Sequence, residues 1–126
     1  MDIKRLNGFN NVKDSVRVSD YERCSAMEII RTDDKDITEL TSGGAKIEYM
    51  DFFGSLSELI KHADVLKRAE KMIVYTLQDP QDFDEDELDR MVRFFDTLTA
   101  GRTAYGLKMT GDYPAQFHIF MRIRED

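Results

Sequence analysis

The sequence is poor in the residues that form disulfides, metal centres and catalytic groups. Its 126 residues include one cysteine, Cys24, and two histidines, His62 and His118. A single thiol cannot form an internal disulfide, and a zinc site needs a set of Cys and His ligands that this chain lacks. Neither histidine lies in a motif for nucleophilic catalysis. We therefore expect a protein without metal, cofactor or catalytic residues.

Long apolar runs are also missing. No segment of 18 apolar residues is present, as a membrane-spanning helix would require, and the first residues lack the apolar region of a secretion signal. With the single thiol, these absences predict a cytoplasmic protein. Ile3, Leu6 and Phe9 are spaced three apart with basic residues between them, which allows residues 1–9 to contact a membrane surface. A frayed end or a strand added to a sheet is the favoured interpretation.

Phosphate-binding glycine loops are absent too, since neither GxGxxG nor GxxxxGK[ST] occurs. The net charge is −7, from 25 acidic and 18 basic residues. Nucleic-acid binding is driven by clustered Lys and Arg, so an acidic chain is a poor candidate for it. The charge instead allows either high solubility or a protein partner with a basic surface. A hydrophobic content of 41% is enough for one folded domain.

The most strongly patterned stretch is residues 71–98. Residues 71–78 are apolar on both faces, which is typical of a central strand covered on both sides. Asp79-Pro80 ends the strand, and Asp84 lies three residues before Glu87 as a helix N-cap pair. The helix that follows carries an apolar stripe formed by Leu88, Met91, Val92, Phe95 and Leu98.

The residues before this stretch predict a strand and a helix. Residues 45–53 alternate between apolar and polar side chains, as strands do. Ser55 and Glu58 form a capping box that begins a helix ending near residue 70. Because this helix connects two strands, residues 45–53 and 71–78 are expected to run parallel.

The residues after the second helix predict two more strands. Residues 103–109 form the first, in which Gly106 suggests a bulge, and residues 110–114 form a hairpin turn. Residues 116–124 form the most regularly alternating strand. Its inward side chains are Phe117, Ile119, Met121 and Ile123, and its outward ones are His118, Phe120, Arg122 and Arg124.

The first third of the chain is less regular. Residues 1–44 form an N-terminal extension with candidate strands near residues 15–19 and 26–31 and an ambiguous segment at 37–41 that suits a return strand. Gly43-Gly44 separates this extension from a compact unit at residues 45–126. The fold class is therefore α+β (α/β), with a β-α-β-α-β-β core, two helices on a mixed sheet and extra N-terminal strands in one domain overall.

Two surfaces are candidates for partner binding. The outward face of the last strand presents Phe120 with His118 and Arg122, and Tyr105 and Tyr113 can join it. Aromatic residues beside arginine are typical of protein interfaces. Something must cover this face, and both the N-terminal third and a second copy of the chain remain possible.

The acidic segment at residues 79–89 is the second candidate. It contains seven carboxylates and no basic residue. It lacks the glycine of an EF-hand loop, so it does not match a calcium site. Capping of the following helix explains the carboxylates. The alternative is a docking surface for a basic partner, carried by Asp82, Asp84 and Asp86.

Residues 45–124 resemble the SepF family of cell-division proteins. The matching parts are residues 55–70 as first helix, MIVYTLQ as buried second strand and LDRMVRFFDTL as second helix. The stretch MIVYTLQDPQDFDEDELDRMV is also similar to a strand, loop and helix of the C-terminal domain of FtsZ and tubulin-like proteins. The SepF resemblance implies a non-enzymatic dimer that binds a filament protein and is tethered by an amphipathic N-terminus.

The leading functional hypothesis is thus a non-catalytic protein-interaction module. It is expected to form a homodimer through its sheet or its second helix, as a SepF-like adaptor for a cytoskeletal or cell-division partner. The alternative is an acidic inhibitor or immunity-type protein that docks residues 79–89 on a basic partner. An enzyme is a third possibility, and it would need a pocket that brings His118 or His62 to a carboxylate.

Overall fold

The computed structural model describes residues 2–125, which form one mixed six-stranded sheet with helices on both faces. The strands are β1 (Ile3–Leu6), β2 (Glu28–Ile30), β3 (Ile47–Phe53), β4 (Ala69–Gln78), β5 (Thr103–Met109) and β6 (Gln116–Ile123). The helices are α1 (Gly8–Arg17), α2 (Asp20–Arg23), α3 (Asp34–Thr41), α4 (Leu56–Ile60), α5 (Ala63–Leu66) and α6 (Glu85–Thr99), with a 3-10 turn at Ser42–Gly44. The predicted α+β class is confirmed.

The strand order is β1-β3-β6-β4-β5-β2. β4 and β5 are parallel neighbours, and every other neighbouring pair is antiparallel. β6 lies between β3 and β4, so these two strands run in the same direction, as predicted, without touching. The hairpin predicted at residues 110–114 is wrong, because β4 separates β5 from β6 and the connection must cross the end of β4.

The central strand is covered on both sides, as the sequence predicted. We call the side of the sheet that carries Met72 and Val74 the first face, and the side that carries Ile73, Tyr75 and Leu77 the second face. The first face packs against α4, α5 and α6, while the second packs against α1, α2 and α3. All five of these β4 side chains are buried.

The first helix replaces a predicted strand. Residues 15–19 are not a strand, because α1 runs through Arg17. Val12 and Val16 lie four residues apart on its buried side, so helical spacing outweighs the strand preference of β-branched side chains. Residues 3–6 do form a strand at the edge of the sheet, and not an amphipathic helix. Met1 lies outside the described residues.

The return strand suggested at residues 37–41 is wrong as well. The carboxylate of Asp33 accepts a hydrogen bond from the Lys35 backbone N–H at 2.9 Å and caps α3, which buries Ile37 and Leu40. The strand predicted at residues 26–31 is confirmed as β2. Residues 2–44 therefore supply both edge strands and the helices that cover the second face.

The two predicted helices of the compact unit are present, one with a different extent. The capping box of Ser55 and Glu58 begins α4 as predicted. The helix stops at Ile60, however, because His62 has non-helical backbone angles that turn the chain into α5, and β4 begins at Ala69. Helix α6 follows its predicted Asp84 cap and ends at Thr99. The longest helix is thus the best predicted one.

Lys108 joins the N-terminal third to the sheet from a buried position on β5. Its Nζ donates hydrogen bonds to the backbone oxygens of Tyr21 at 2.8 Å and Cys24 at 2.9 Å, at the end of α2. It also lies 4.6 Å from the centroid of the Tyr21 ring. These contacts compensate the burial of the ammonium group and fix α2 against the second face.

Gly106 allows a close approach between β5 and α2. The register of β4 and β5 continues unbroken through Gly106, so the predicted bulge is wrong. A Cβ at this position would lie 2.7 Å from Cδ1 of Tyr75 and 2.8 Å from the hydroxyl oxygen of Tyr21. The glycine is needed for this space and not for an unusual backbone angle.

We expect Gly106→Ala to destabilise the protein by about 1–3 kcal/mol, because two packed rings would have to move. Gly111→Ala is the matched control, since its Cβ would meet only the Asp79 carboxylate at 3.7 Å, an ordinary contact. Urea unfolding of both variants measures the difference. Equal stability of the two variants would contradict the packing argument.

Candidate functional site

The outward patch predicted on the last strand is not an exposed surface. Phe120 is fully buried, and its ring stacks on that of Tyr49 with centroids 4.4 Å apart. Tyr75 meets it edge-on at 6.0 Å. Of the two covers that the sequence allowed, the N-terminal helices occupy this face. The interaction surface predicted at Phe120 and His118 is therefore corrected to an internal interface within the chain.

Arg122, the charged member of that patch, joins β6 to the end of α3. Its Nη1 donates hydrogen bonds to the backbone oxygens of Ser42 at 2.8 Å and Leu40 at 3.1 Å. Its Nε donates to the Glu70 carboxylate at 2.7 Å. Arginine commonly satisfies free carbonyls at helix ends in this way. Its role in the described chain is to anchor α3.

The two tyrosines of the predicted patch lie on opposite sides of the sheet. Tyr105 is aligned with Val74 and shares its first-face orientation, where its hydroxyl donates a hydrogen bond to Asp96 at 2.8 Å. Tyr113 packs, half-buried, against the second-face core. The predicted grouping is wrong because alternation along β5 places Tyr105 away from His118 and Phe120.

His118 lies in a buried polar network at the start of β6. It is opposite Asp51 on β3, and its Nδ1 is 2.6 Å from the Asp51 carboxylate, while its Nε2 is 2.8 Å from Oε1 of Gln116. The Gln116 amide nitrogen donates to the Pro114 oxygen at 3.1 Å, which orients Oε1 toward the imidazole. The hydroxyl of Tyr49 donates to the same Asp51 oxygen.

This network meets one condition of the enzyme hypothesis, since a histidine and a carboxylate are in contact. Both imidazole nitrogens of His118 are bonded within the chain, and its side chain is only 3% exposed. Neither nitrogen is therefore available to hydrogen-bond a bound molecule. Asp51 is the accessible member, and it borders a cavity of about 280 Å³ lined also by Asp2, Lys4, Tyr49 and Phe53. The other histidine, His62, is exposed and packs on Phe52.

The charge of Asp51 is favoured by its partners. Burial acts to raise the pKa of Asp51, but the hydrogen bonds from His118 and Tyr49 outweigh it and leave the pKa below its usual range. Burial and the neighbouring carboxylate raise the pKa of Tyr49, so its phenol stays protonated and continues to donate. The arrangement stabilises a carboxylate and makes Asp51 a weak base.

The network predicts a pH-dependent stability. The pKa of an unfolded Asp is about 3.9, and the folded value of Asp51 is lower, so its stabilising effect is present above that pH and is lost as the pH falls further. We expect the difference in free energy of unfolding between wild type and Asp51→Asn to shrink from about pH 6 to about pH 3.

Denaturant titrations across this range measure the difference. Asp64→Asn is the control, because the Asp64 side chain is 96% exposed. A gap between wild type and Asp51→Asn that stays constant with pH would contradict the role of the charged carboxylate.

The acidic segment has the helix-capping role predicted for it. Asp84 accepts a hydrogen bond from the Glu87 backbone N–H at 2.9 Å, and Asp79 accepts one from the Gln81 backbone N–H at 2.9 Å. Asp82, Asp84, Glu85 and Asp86 are nevertheless exposed. Among residues 2–125, no group of three or more His, Cys, Asp or Glu side chains is arranged to hold a metal ion.

An apolar groove opens beside these carboxylates. It has a volume of about 440 Å³ and lies between α6 and the β2–β5 edge of the first face. Its lining consists of Ile29, Pro80, Phe83, Asp84, Glu85, Leu88, Leu107 and Met109. Ile29 is 57% exposed, and Met27 beside it is 80% exposed. The charged residues that line this groove, Asp84 and Glu85, are both acidic.

Sequence reasoning found one wall of this groove and missed the other. The acidic segment is visible in the sequence, whereas for Ile29 the sequence predicts only a short strand. Two residues of β2, Ile29 and Ile30, occupy the space opposite Leu107 because the register shifts after Glu28. No local pattern predicts such a bulge, and no local pattern brings β2 beside α6.

Two comparisons with known proteins found no relative. No family model matches the chain, and no curated protein matches it. The resemblance to SepF proteins stays a prediction. None of the helices formed by residues 2–125 has both the length and the apolar composition to cross a membrane.

Proposed function

We propose that the protein is a non-catalytic protein-interaction module that docks a basic, partly apolar segment of a partner protein in the groove between β2 and α6. The observation that carries this proposal is the combination of apolar lining and acidic rim in one groove. Apolar burial would supply affinity, and the charged rim would select the partner.

The apolar contribution comes from both walls. Ile29 from β2 and Leu88 from α6 face the groove, with Leu107 and Met109 at its floor. Exposed apolar side chains that cluster in a concave site are typical of binding surfaces, while scattered ones are ordinary. Burial of such surface is worth about 25 cal/mol per Å², so a short segment can gain several kcal/mol here.

The electrostatic contribution comes from Asp84 and Glu85, which line the groove, and from the other carboxylates of residues 79–89. Arg90 and Arg93 are the basic residues of α6, and they pair with Glu87 at 2.9 Å and with Asp89, respectively. Segment 79–89 itself contains no basic residue. A surplus of negative charge beside an apolar groove attracts Lys and Arg and repels acidic segments.

A narrower form of the proposal follows from the sequence resemblance. A SepF-like dimeric adaptor would use such a groove to bind a cytoskeletal or cell-division protein. An acidic inhibitor or immunity-type protein would use the same carboxylates against a basic enzyme. Both forms share the docking surface, so the first experiment addresses that surface and not the partner's identity.

The test uses a short synthetic peptide in which alternating Val and Leu residues are flanked at both ends by Lys pairs. We expect it to bind, and we expect the Asp82→Asn, Asp84→Asn, Asp86→Asn triple variant to bind about tenfold more weakly, equivalent to about 1.4 kcal/mol. Asn at position 84 can still cap α6, so the fold is retained. Fluorescence anisotropy of the labelled peptide measures both affinities.

A matched control removes the same number of charges elsewhere. Asp14, Asp34 and Asp64 are exposed carboxylates away from the groove, and their triple Asn variant should bind like wild type. Ile29→Asp places a charge on the apolar wall and should abolish binding without disturbing the core, since Ile29 is exposed. Equal weakening in the two triple variants would show attraction to net charge alone and would overturn the proposal.

A further inference from the structure

The two edges of the sheet differ in chemistry. β1 has Lys4 and Arg5 at the centre of its four residues, and both are exposed. Charged side chains on an edge strand oppose pairing with another strand. β2 instead carries exposed Ile29, preceded by exposed Met27. The β2 edge thus presents an apolar side chain where β1 presents two cations.

The free edge of β2 also borders the apolar groove between β2 and α6. Within residues 2–125, β2 has one neighbouring strand, β5, and its other side pairs with none. Ile29 lines the groove from this edge. Adjacent strands lie about 4.8 Å apart, so a strand added to β2 would lie beside Ile29 at the edge of the groove, with every second side chain on the first face.

From these observations, and resting on the proposed function, we infer that the partner segment binds as an extended strand on the free edge of β2. Backbone hydrogen bonds to β2 would hold the segment, alternate apolar side chains would enter the groove, and its Lys or Arg residues would lie toward Asp84 and Glu85. Strand addition of this kind derives affinity from the main chain and selectivity from the pockets for alternate side chains.

Charge favours a foreign segment over a second copy of this chain. Pairing of β2 with β2 of another copy would bring two acidic rims together, and like charges at an interface are unfavourable. A basic segment avoids this repulsion, because its Lys or Arg side chains carry the opposite charge.

The experiment uses the Val/Leu peptide flanked by Lys pairs in two further forms, N-methylated on odd or on even residues. In a bound strand, alternate N–H groups point toward the neighbouring strand and the others point away. We expect one methylated form to bind like the parent peptide and the other to lose at least about tenfold in affinity, the effect of about 1.4 kcal/mol. The full chain is used throughout.

The outcomes separate this inference from the proposed function. Binding of the parent peptide with equal affinity for both methylated forms would overturn strand addition and leave groove docking intact. Strong loss in both forms would indicate a bound helix, which also overturns it. No binding of the parent peptide would contradict the proposed function itself. Sedimentation without peptide is a further check, since a dimer that Ile29→Asp dissociates would show that a second copy occupies the edge and would overturn the inference of a foreign segment.

Discussion

The pairing of β6 with β3 and β4 is the interaction on which the rest of the structure depends. β4 and β6 are both apolar on both faces, with Phe120 and Tyr75 on one side and Phe117 and Val74 on the other. A strand pair of this composition is stable only between two covering layers. The α4–α6 layer comes from within the compact unit, and the N-terminal third is required for the second.

Charged side chains on the strands hold this second layer in place. Lys108 binds the carbonyl oxygens at the end of α2, and Arg122 binds those at the end of α3. In each case a cation satisfies main-chain acceptors that a helix end leaves free, which is favourable for the helix dipole as well. Lys108 and Arg122 are charged residues on strands, where a charged side chain usually indicates a solvent-exposed face. In this structure they instead join the sheet to the helices.

Most elements of the compact unit were predicted well, because the spacing of apolar residues that specifies each one lies within a single short segment. The two-sided apolar run at residues 71–78 and the stripe of α6 each specify one type of element. The position of β6 between β3 and β4 was not predictable, since strand order depends on pairings distant in sequence. The β-branched Val12 and Val16 favoured a strand, whereas their spacing of four residues suits the buried side of a helix, which is what the structure has.

The candidate site was predicted in part. The acidic wall at residues 79–89 was visible in the sequence, whereas the apolar wall at Ile29 required the fold. The patch around Phe120 was recognised as needing a cover, but nothing in the sequence chose between an intramolecular cover and a partner. That choice depends on whether α1–α3 can reach the sheet, which is a property of the whole chain.

The central position of β6 governs the order in which this protein can fold during its synthesis. Until residues 116–123 leave the ribosome, β3 and β4 have no common neighbour, and the helices made first have no complete face to cover. Early strand pairing is therefore limited to β1 with β3 on one side and to β4 with β5 and β2 on the other. A chain that stalls before Gln116 exposes two apolar strands with unpaired edges, the kind of species that chaperones bind and that aggregates readily.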